Sequence, residues 1–292
     1  MELKPVHSSV FYLQGPANIG VVIHEDKAVL IDTGLDEGSV RKVLKTLEGQ
    51  SIQVHAIINT HAHADHFGGN HFVVKRTGAL VYAPDIEEAI IRNPILEPFY
   101  LYGAAPLDKL KSKFLMAQGS NVDYILKDKM DIIGLEFQFI PIPGHSINQT
   151  GVLVQDVFFC ADAIFPPEII EKYKILYCYD VKQQKETLAW MKTFPYEYYL
   201  PIHGEPATDI SNLIDLNLKS IENLENLILE ILSTPQKTEE LIKTVGDTLH
   251  LELNFEQYFL TGNTLKSYLT SLKAEGKVNC VVEKNSLRWF KL

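Results

Sequence analysis

The stretch Ile57-Ile58-Asn59-Thr60-His61-Ala62-His63-Ala64-Asp65-His66-Phe67-Gly68-Gly69-Asn70 places three histidines and one aspartate within six residues, directly after an apolar run. The run over 54–59 is too short for a helix and predicts a buried strand. On the following loop, the first two histidines can point to one place, and the aspartate and third histidine to a second. One metal ion cannot easily use all four side chains, whereas two neighbouring ions can. We expect the glycine pair to let the backbone turn tightly beneath the metals.

A chance polar cluster on a surface loop is the alternative, and the density of histidines disfavours it. The pattern T-H-x-H-x-D-H over 60–66 resembles the signature of the metallo-beta-lactamase superfamily of hydrolases. Three later segments, each at the end of an apolar run, match the places of that family's remaining ligands: Pro143-Gly144-His145-Ser146, Phe158-Phe159-Cys160-Ala161-Asp162 and Leu200-Pro201-Ile202-His203-Gly204. Active sites of layered α/β folds gather at the C-terminal ends of strands. Ala161 departs from the family pattern, which commonly has glycine there.

The resemblance implies two divalent metal ions, with Zn²⁺ the best match and iron or manganese also compatible with these ligand types. The ligands that it implies are His61, His63 and His145 for the first ion, Asp65, His66 and His203 for the second, and Asp162 between the two. Asp32, in Ile31-Asp32-Thr33-Gly34, matches a family aspartate that supports the metal loop, and we expect it to orient the ligands. An ordinary turn aspartate is the alternative reading of Asp32.

The chemistry that the resemblance implies is hydrolysis by a metal-bridging hydroxide, with Asp65 also taking up the proton. The first hypothesis is hydrolysis of a small ester, thioester or lactone, because glyoxalase-II-like hydrolases and lactonases share this ligand set. The glutathione-binding helical tail of the former is not evident. The second hypothesis is a metal-dependent phosphodiesterase or ribonuclease, and the third is a binding protein without catalysis. The residue pattern leaves the substrate-binding residues open.

The net charge and the cysteine content limit which partners and which cellular compartment the sequence favours. The formal net charge of -10 disfavours nucleic acid as a partner, since phosphate backbones attract basic proteins. The three cysteines show no C-x-x-C spacing, which favours a reducing compartment. The N-terminus lacks the apolar core of a signal peptide, and no window is apolar enough for a membrane helix. We therefore expect a cytoplasmic protein that acts on a small molecule and has no membrane association.

The order of strand-like and helical patterns predicts an α/β fold of two domains. Strands and helices alternate over 1–207, which predicts a four-layer αββα metallo-beta-lactamase sandwich in line with the resemblance. Helices over 209–232, 238–245, 255–260 and 263–275, followed by a hairpin, predict a mostly helical, winged-helix-like domain over 208–292. The irregular insertion over 93–122 is predicted to wall the substrate pocket or to form a homodimer contact. Aromatic residues over 165–179 are more typical of packing than of substrate contact.

Overall fold

Two β-sheets face each other in the computed structural model, which describes residues 3–292. Seven strands form the first sheet in chain order: β1 (Lys4–His7), β2 (Val10–Leu13), β3 (Ile19–His24), β4 (Lys27–Ile31), β5 (Gln53–Ile58), β6 (Leu80–Ala83) and β7 (Tyr124–Ile125). Five strands form the second sheet, and β12 lies at one edge and β8 at the other: β8 (Lys129–Ile132), β9 (Leu135–Pro141), β10 (Thr150–Val154), β11 (Val157–Ala161) and β12 (Tyr198–Pro201). Strands β4 to β7 are parallel, as are β11 and β12.

Helices cover the outer face of each sheet. The helices before residue 207 are α1 (Glu37–Gly49), α2 (Ala64–Phe67), α3 (Asn70–Thr77), α4 (Glu87–Arg92), α5 (Leu96–Tyr102), α6 (Pro167–Tyr173) and α7 (Val181–Met191). Side chains of α1 and α3 pack on the first sheet, and those of α7 pack on the second. The result is the predicted four-layer αββα sandwich, which is confirmed.

Strand β4 shows how the sequence specifies two apolar layers. Successive side chains of a strand point to opposite faces. Ala28 and Leu30 accordingly pack in the layer between the first sheet and its helices, whereas Val29 and Ile31 pack between the two sheets. All four are fully buried, and burying a side chain of the size of Val29, Leu30 or Ile31 typically contributes about 1.5–3 kcal/mol. A strand that is apolar on both faces is therefore typical of the interior of a layered fold.

The C-terminal part consists of three helices and a hairpin: α8 (Ser211–Ile231), α9 (Thr238–Thr248), α10 (Phe255–Ala274), β13 (Val278–Glu283) and β14 (Ser286–Lys291). Its apolar core also takes in Ile175 and Val181 from the earlier part of the chain. Lys185 of α7 adds a polar connection, because its Nζ donates at 2.7 Å both to Glu225 and to Glu275. The boundary at 207 and the winged-helix likeness stay predictions.

Two segments differ from the sequence-based expectation. Helix α10 runs without a break through Gly262, where two helices were predicted. A glycine inside a helix is tolerated at a cost of about 1 kcal/mol, and here it leaves room for Ile242, whose Cδ1 would lie 3.1 Å from an added Cβ. Part of the insertion over 93–122 forms α5 and a short 3-10 helix over Asp108–Lys111.

Among residues 3–292, none of the helices combines the length and apolar character needed to span a membrane.

Candidate metal centre

The predicted ligands lie together at one end of the two sheets. The segment after β5 supplies four of them, of which the last two lie in α2: His61, His63, Asp65 and His66. Strands β9, β11 and β12 of the second sheet lead to the other three: His145, Asp162 and His203. Both sheets therefore contribute donor atoms to a single cluster, which lies where these strands end.

The first three histidines bring their ring nitrogens into contact. His63 Nδ1 lies 3.0 Å from Nε2 of His61 and 2.9 Å from Nε2 of His145. Burial lowers the pKa of His61 and of His63 well below the usual value, and the neighbouring imidazoles lower it further. Burial also lowers the pKa of His145. The three rings are thus held neutral, which is the form that binds a metal ion.

The second group shares Asp162 with the first. Asp65, His66 and His203 place donor atoms within 4.8 Å of one another. One carboxylate oxygen of Asp162 lies 3.3 Å from His145 Nε2 and 3.5 Å from His66 Nε2, and the other lies 3.4 Å from His203 Nε2. Asp162 therefore contacts members of both groups, in the place that a carboxylate between two ions would occupy.

The charges in this second group oppose the effect of burial. Burial alone would lower the pKa of His66, but the carboxylates of Asp32, Asp162 and Asp65 raise it well above its usual value. Burial likewise acts against protonation of His203, and Asp162 raises its pKa to about 9. Burial raises the pKa of Asp162, and the histidines outweigh this and hold it well below its usual range.

Three histidines are fixed in orientation through their other ring nitrogen. Nδ1 of His145 donates to the backbone carbonyl of Tyr177 at 3.0 Å, and Nδ1 of His203 donates to that of Pro16 at 2.6 Å. Nδ1 of His66 faces a carboxylate oxygen of Asp32 at 2.8 Å. Each contact leaves Nε2 directed into the cluster, which is how outer groups select the tautomer of a metal-binding histidine.

Asp32 connects the end of β4 to the loop after β5. Its side chain is buried, and its carboxylate accepts hydrogen bonds from the backbone N–H of Thr60 at 2.9 Å and from the Thr60 hydroxyl at 2.8 Å. The backbone of Asp32 has φ 59°, in the left-handed region that few non-glycine residues adopt. The structure thus places Asp32 behind His66, where the sequence-based hypothesis expects an orienting carboxylate.

The donor set fits metal ions better than it fits hydrogen bonding within the protein. His66 Nε2 and Asp162 Oδ1 are buried and have no hydrogen-bond partner. Burying such groups unpaired is costly. Imidazole nitrogens and carboxylate oxygens at these positions are the ligand types of zinc and its first-row neighbours. A pair of divalent cations would satisfy both orphaned atoms.

Glycines 68 and 69 act through close approach and not through unusual turn geometry. Their φ values of -60° and -83° suit any residue. A Cβ on Gly68 would lie 1.9 Å from the carbonyl oxygen of Leu35, and one on Gly69 would lie 2.5 Å from that of Thr33. Ala161 ends β11, just before Asp162, and has φ 45°. Glycine adopts this left-handed backbone region without strain, which explains why glycine suits this place.

Glu87, at the start of α4, is a buried carboxylate that the sequence pattern does not reveal. One oxygen accepts from the Ser146 hydroxyl at 2.6 Å and from the Asn148 N–H at 2.9 Å, and the other accepts from the Ala62 N–H at 3.0 Å. Burial raises the pKa of Glu87, and these three donors oppose that effect. Glu87 therefore ties the loop of His61 and His63 to the loop of His145.

A cavity of about 1000 Å³ opens onto the cluster, and we call it the site pocket. Its polar floor includes His63, Asp65, His145, Asp162 and His203. Its walls include Phe114 and Leu115 of the insertion, Tyr177 after α6, and residues 250–264 of the C-terminal part. Tyr177 also packs edge-on against His63 and His145, with ring centroids 5.2 and 5.7 Å apart. Both the insertion and the C-terminal part thus wall the pocket.

Fold and site together define an αββα sandwich with a seven-residue cluster of metal-ligand type at the strand ends. The family model for the metallo-beta-lactamase superfamily matches residues 12–203. The chain therefore belongs to the metallo-beta-lactamase superfamily.

Known relatives add sequence and structural detail. A hydroxyacylglutathione hydrolase of Albidiferax ferrireducens is 27% identical over 149 residues, which are 49% of this chain and 46% of the relative. Hydroxyacylglutathione hydrolase 1 of Vibrio vulnificus is 22% identical over 90% of this chain and 94% of its own. The chain spans about half the length of several curated relatives that it matches. A metallo-beta-lactamase family protein of Thermus thermophilus aligns with a TM-score of 0.74 at 19% identity, covering 97% of this chain and 99% of its own, which shows the shared fold.

Proposed function

We propose that this protein is a metal-dependent hydrolase that holds two divalent cations, preferably Zn²⁺, and cleaves a small ester, thioester or lactone. The observation that carries this proposal is the convergence of seven donor side chains, two with orphaned buried atoms, at the floor of one open pocket. The names of the curated relatives, which act on hydroxyacylglutathione, support the thioester class.

The proposed ligand roles follow the two groups of donor atoms. His61, His63 and His145 would hold one ion, Asp65, His66 and His203 the other, and Asp162 would contact both. When bound, such a pair supplies Lewis-acid polarisation of a carbonyl oxygen and lowers the pKa of water. Asp65 keeps 41% of its side chain exposed and lines the pocket, so it can accept a proton from the attacking water. Asp32 orients His66, and Phe165, whose ring stacks on His203, shields that ring from solvent.

The remaining proposals concern partners and compartment. We propose a small-molecule substrate and leave nucleic acid out, because the chain carries a net charge of -10. We propose a cytoplasmic location because Cys160, Cys178 and Cys280 are all free thiols. The insertion exposes aromatic side chains, among them Phe99 and Tyr102, and we propose that they form a homodimer contact. Size-exclusion chromatography with light scattering would test this proposal.

The test measures metal content and turnover together. Purified protein is assayed against chromogenic thioester, lactone, carboxylic ester and phosphodiester substrates before and after metal loading. We expect about two metals per chain and metal-dependent turnover of a carbonyl substrate. Asp65→Ala and His203→Ala should each lower turnover by roughly 10²-fold or more, whereas His71→Ala, an exposed histidine on α3, should not. Turnover of the phosphodiester alone, or protein that retains no metal, would contradict the proposal.

A further inference from the structure

The walls of the site pocket carry apolar side chains that the protein itself leaves uncovered. Phe114 of the insertion is 62% exposed and lines the pocket. Ile169 of α6 also lines it, on a helix that contributes no fully buried residue. Within residues 3–292, neither side chain belongs to an apolar cluster of the interior. Exposed apolar surface that gathers in one concave place marks a binding site for an apolar ligand.

Covered apolar side chains continue this surface toward the metal cluster. Phe165 lies at the cluster itself, with ring centroids 5.6 Å from His145 and 5.9 Å from His203. Leu115 and Leu260 add aliphatic surface from the insertion and from α10. Apolar side chains and the donor atoms thus line the same pocket, together with Lys172 and Lys174.

The size of the pocket exceeds the need of a short acyl group. Its volume of about 1000 Å³ lies at the upper end of the roughly 300–1,000 Å³ range of small-molecule sites. A two- or three-carbon acyl group on a small alcohol or thiol would leave much of this space to water beside apolar side chains, which is unfavourable. An extended hydrocarbon chain would replace that water.

We infer that the substrates are esters or thioesters whose acyl chain is extended and apolar, with the carbonyl at the metal cluster and the chain along Phe165, Ile169 and Phe114. This inference rests on the proposed function for the reaction, but the binding of the chain can be measured without turnover. Each methylene that enters an apolar wall strengthens binding. The preference should therefore increase steadily with chain length.

The first experiment measures kcat/KM of the metal-loaded protein on p-nitrophenyl butanoate, octanoate and decanoate below their micelle concentrations. We expect kcat/KM to rise at least about tenfold from butanoate to decanoate. The double variant Phe114→Ser/Ile169→Asn should lose most of this rise, taken as the ratio of the decanoate value to the butanoate value of the same variant. Phe99→Ser, a half-exposed phenylalanine of the same insertion that does not line the pocket, is the matched control and should behave as the unaltered protein. A flat or falling series overturns the inference.

The second experiment separates the inference from the proposed function. Butanoate and decanoate, which share one head group, are titrated into the metal-loaded protein by calorimetry. Decanoate that binds at least about tenfold more tightly, with the advantage lost in the double variant, supports the apolar chain even if no ester is hydrolysed. Equal affinities, or an advantage that survives in the double variant, overturn it. Hydrolysis of the p-nitrophenyl esters with no dependence on chain length would sink this inference and leave the proposed function standing.

Discussion

Asp32 combines a buried carboxylate with a backbone conformation that most side chains avoid. Its φ of 59° directs the carboxylate at Thr60 and His66 at once. Such a conformation persists only where the surroundings determine it strongly. The carboxylate is thereby held ready to fix the ring of His66 before any metal arrives.

Replacing Asp32 with asparagine isolates the effect of the charge, because asparagine tolerates the same backbone region. We expect Asp32→Asn to weaken zinc binding at the second group of ligands by roughly 10–100-fold, measured by competition with a chromophoric chelator. The matched control is Asp156→Asn. Asp156 also has a left-handed backbone conformation, with φ 62°, but its side chain is exposed and does not belong to the cluster. Equal zinc affinities for Asp32→Asn and the unaltered protein would show that Asp32 only shapes its turn.

The proposed ligands could be named from the sequence because each follows an apolar strand and because four of them lie within six residues. Glu87 could not, since its role depends on contacts with a loop about 60 positions away in the chain, and no local pattern marks it. At glycines 68 and 69 the sequence predicts a tight turn, whereas the structure requires glycine there for a different physical reason. Their need for close approach to Leu35 and Thr33 is visible only in three dimensions.

Helix α4 contributes to the site through its first residue, Glu87. Glu87 accepts three hydrogen bonds from two loops that follow different strands, one in each sheet. A short helix that packs on the first sheet thus sets the spacing of histidines that come from both sheets. The contact is buried, so loss of one acceptor leaves an N–H or a hydroxyl without a partner.

Glu87→Gln tests this clamp, because the amide cannot accept from all three donors. An unpaired buried donor costs roughly 1–3 kcal/mol, and we expect zinc affinity at His61, His63 and His145 to fall at least about tenfold with the helical content unchanged. Glu88→Gln is the control, since the neighbouring, partly buried Glu88 pairs with Arg92 of the same helix. Zinc affinity and circular dichroism would be measured on both variants. A loss shared equally by the two would argue against the clamp.

Elements with clear patterns were predicted well, and those with mixed patterns were not. In α1, apolar residues recur at helical spacing, and in β6 they form a short bounded run, so each pattern is typical of the element that the structure shows. The break predicted at Gly262 is wrong because buried packing against α9 outweighs the local preference of glycine. In the insertion, α5 follows an N-terminal turn without a side-chain cap, so no start signal stands out in the sequence.

The proposed metal ligands come from both sheets, so the cluster connects the two halves of the sandwich. The two ligand groups differ in protonation before metal binds. Burial keeps the pKa of His61, His63 and His145 low, so these rings are already neutral at pH 7. The pKa values of His66 and His203 are raised, and His203, whose pKa is about 9, carries a proton at that pH.

Zinc binding should therefore release protons mainly when the second ion enters. Because the pKa of His203 is about 9 and that of His66 is also raised, protons compete below that range, and affinity for the second ion should rise from pH 6 to 9. Calorimetry at pH 7 in two buffers of different ionisation enthalpy measures the released protons. His203→Asn should reduce the number by about one. Release that accompanies the first ion instead, or affinity that falls as the pH rises, would refute this assignment.

The sandwich could be predicted because strand and helix patterns alternate over the first two thirds of the chain, whereas the placement of the C-terminal part could not. That placement depends on long-range packing, in which Ile175 and Val181 share a core with α8, α9 and α10. The pocket wall over 250–264 follows from the same packing. The sequence shows amphipathic helices there, but not which surface they meet.

The order of these contributions along the chain has a consequence for biosynthesis. A ribosome delivers the loop with His61 and His63 early, but His203 emerges only after about two thirds of the chain has been made, and α10 later still. A nascent chain consequently presents three histidines and an aspartate with no partners from the second sheet. The proposed set of seven ligands is therefore complete only after His203 has been made, and the pocket wall over 250–264 only after that.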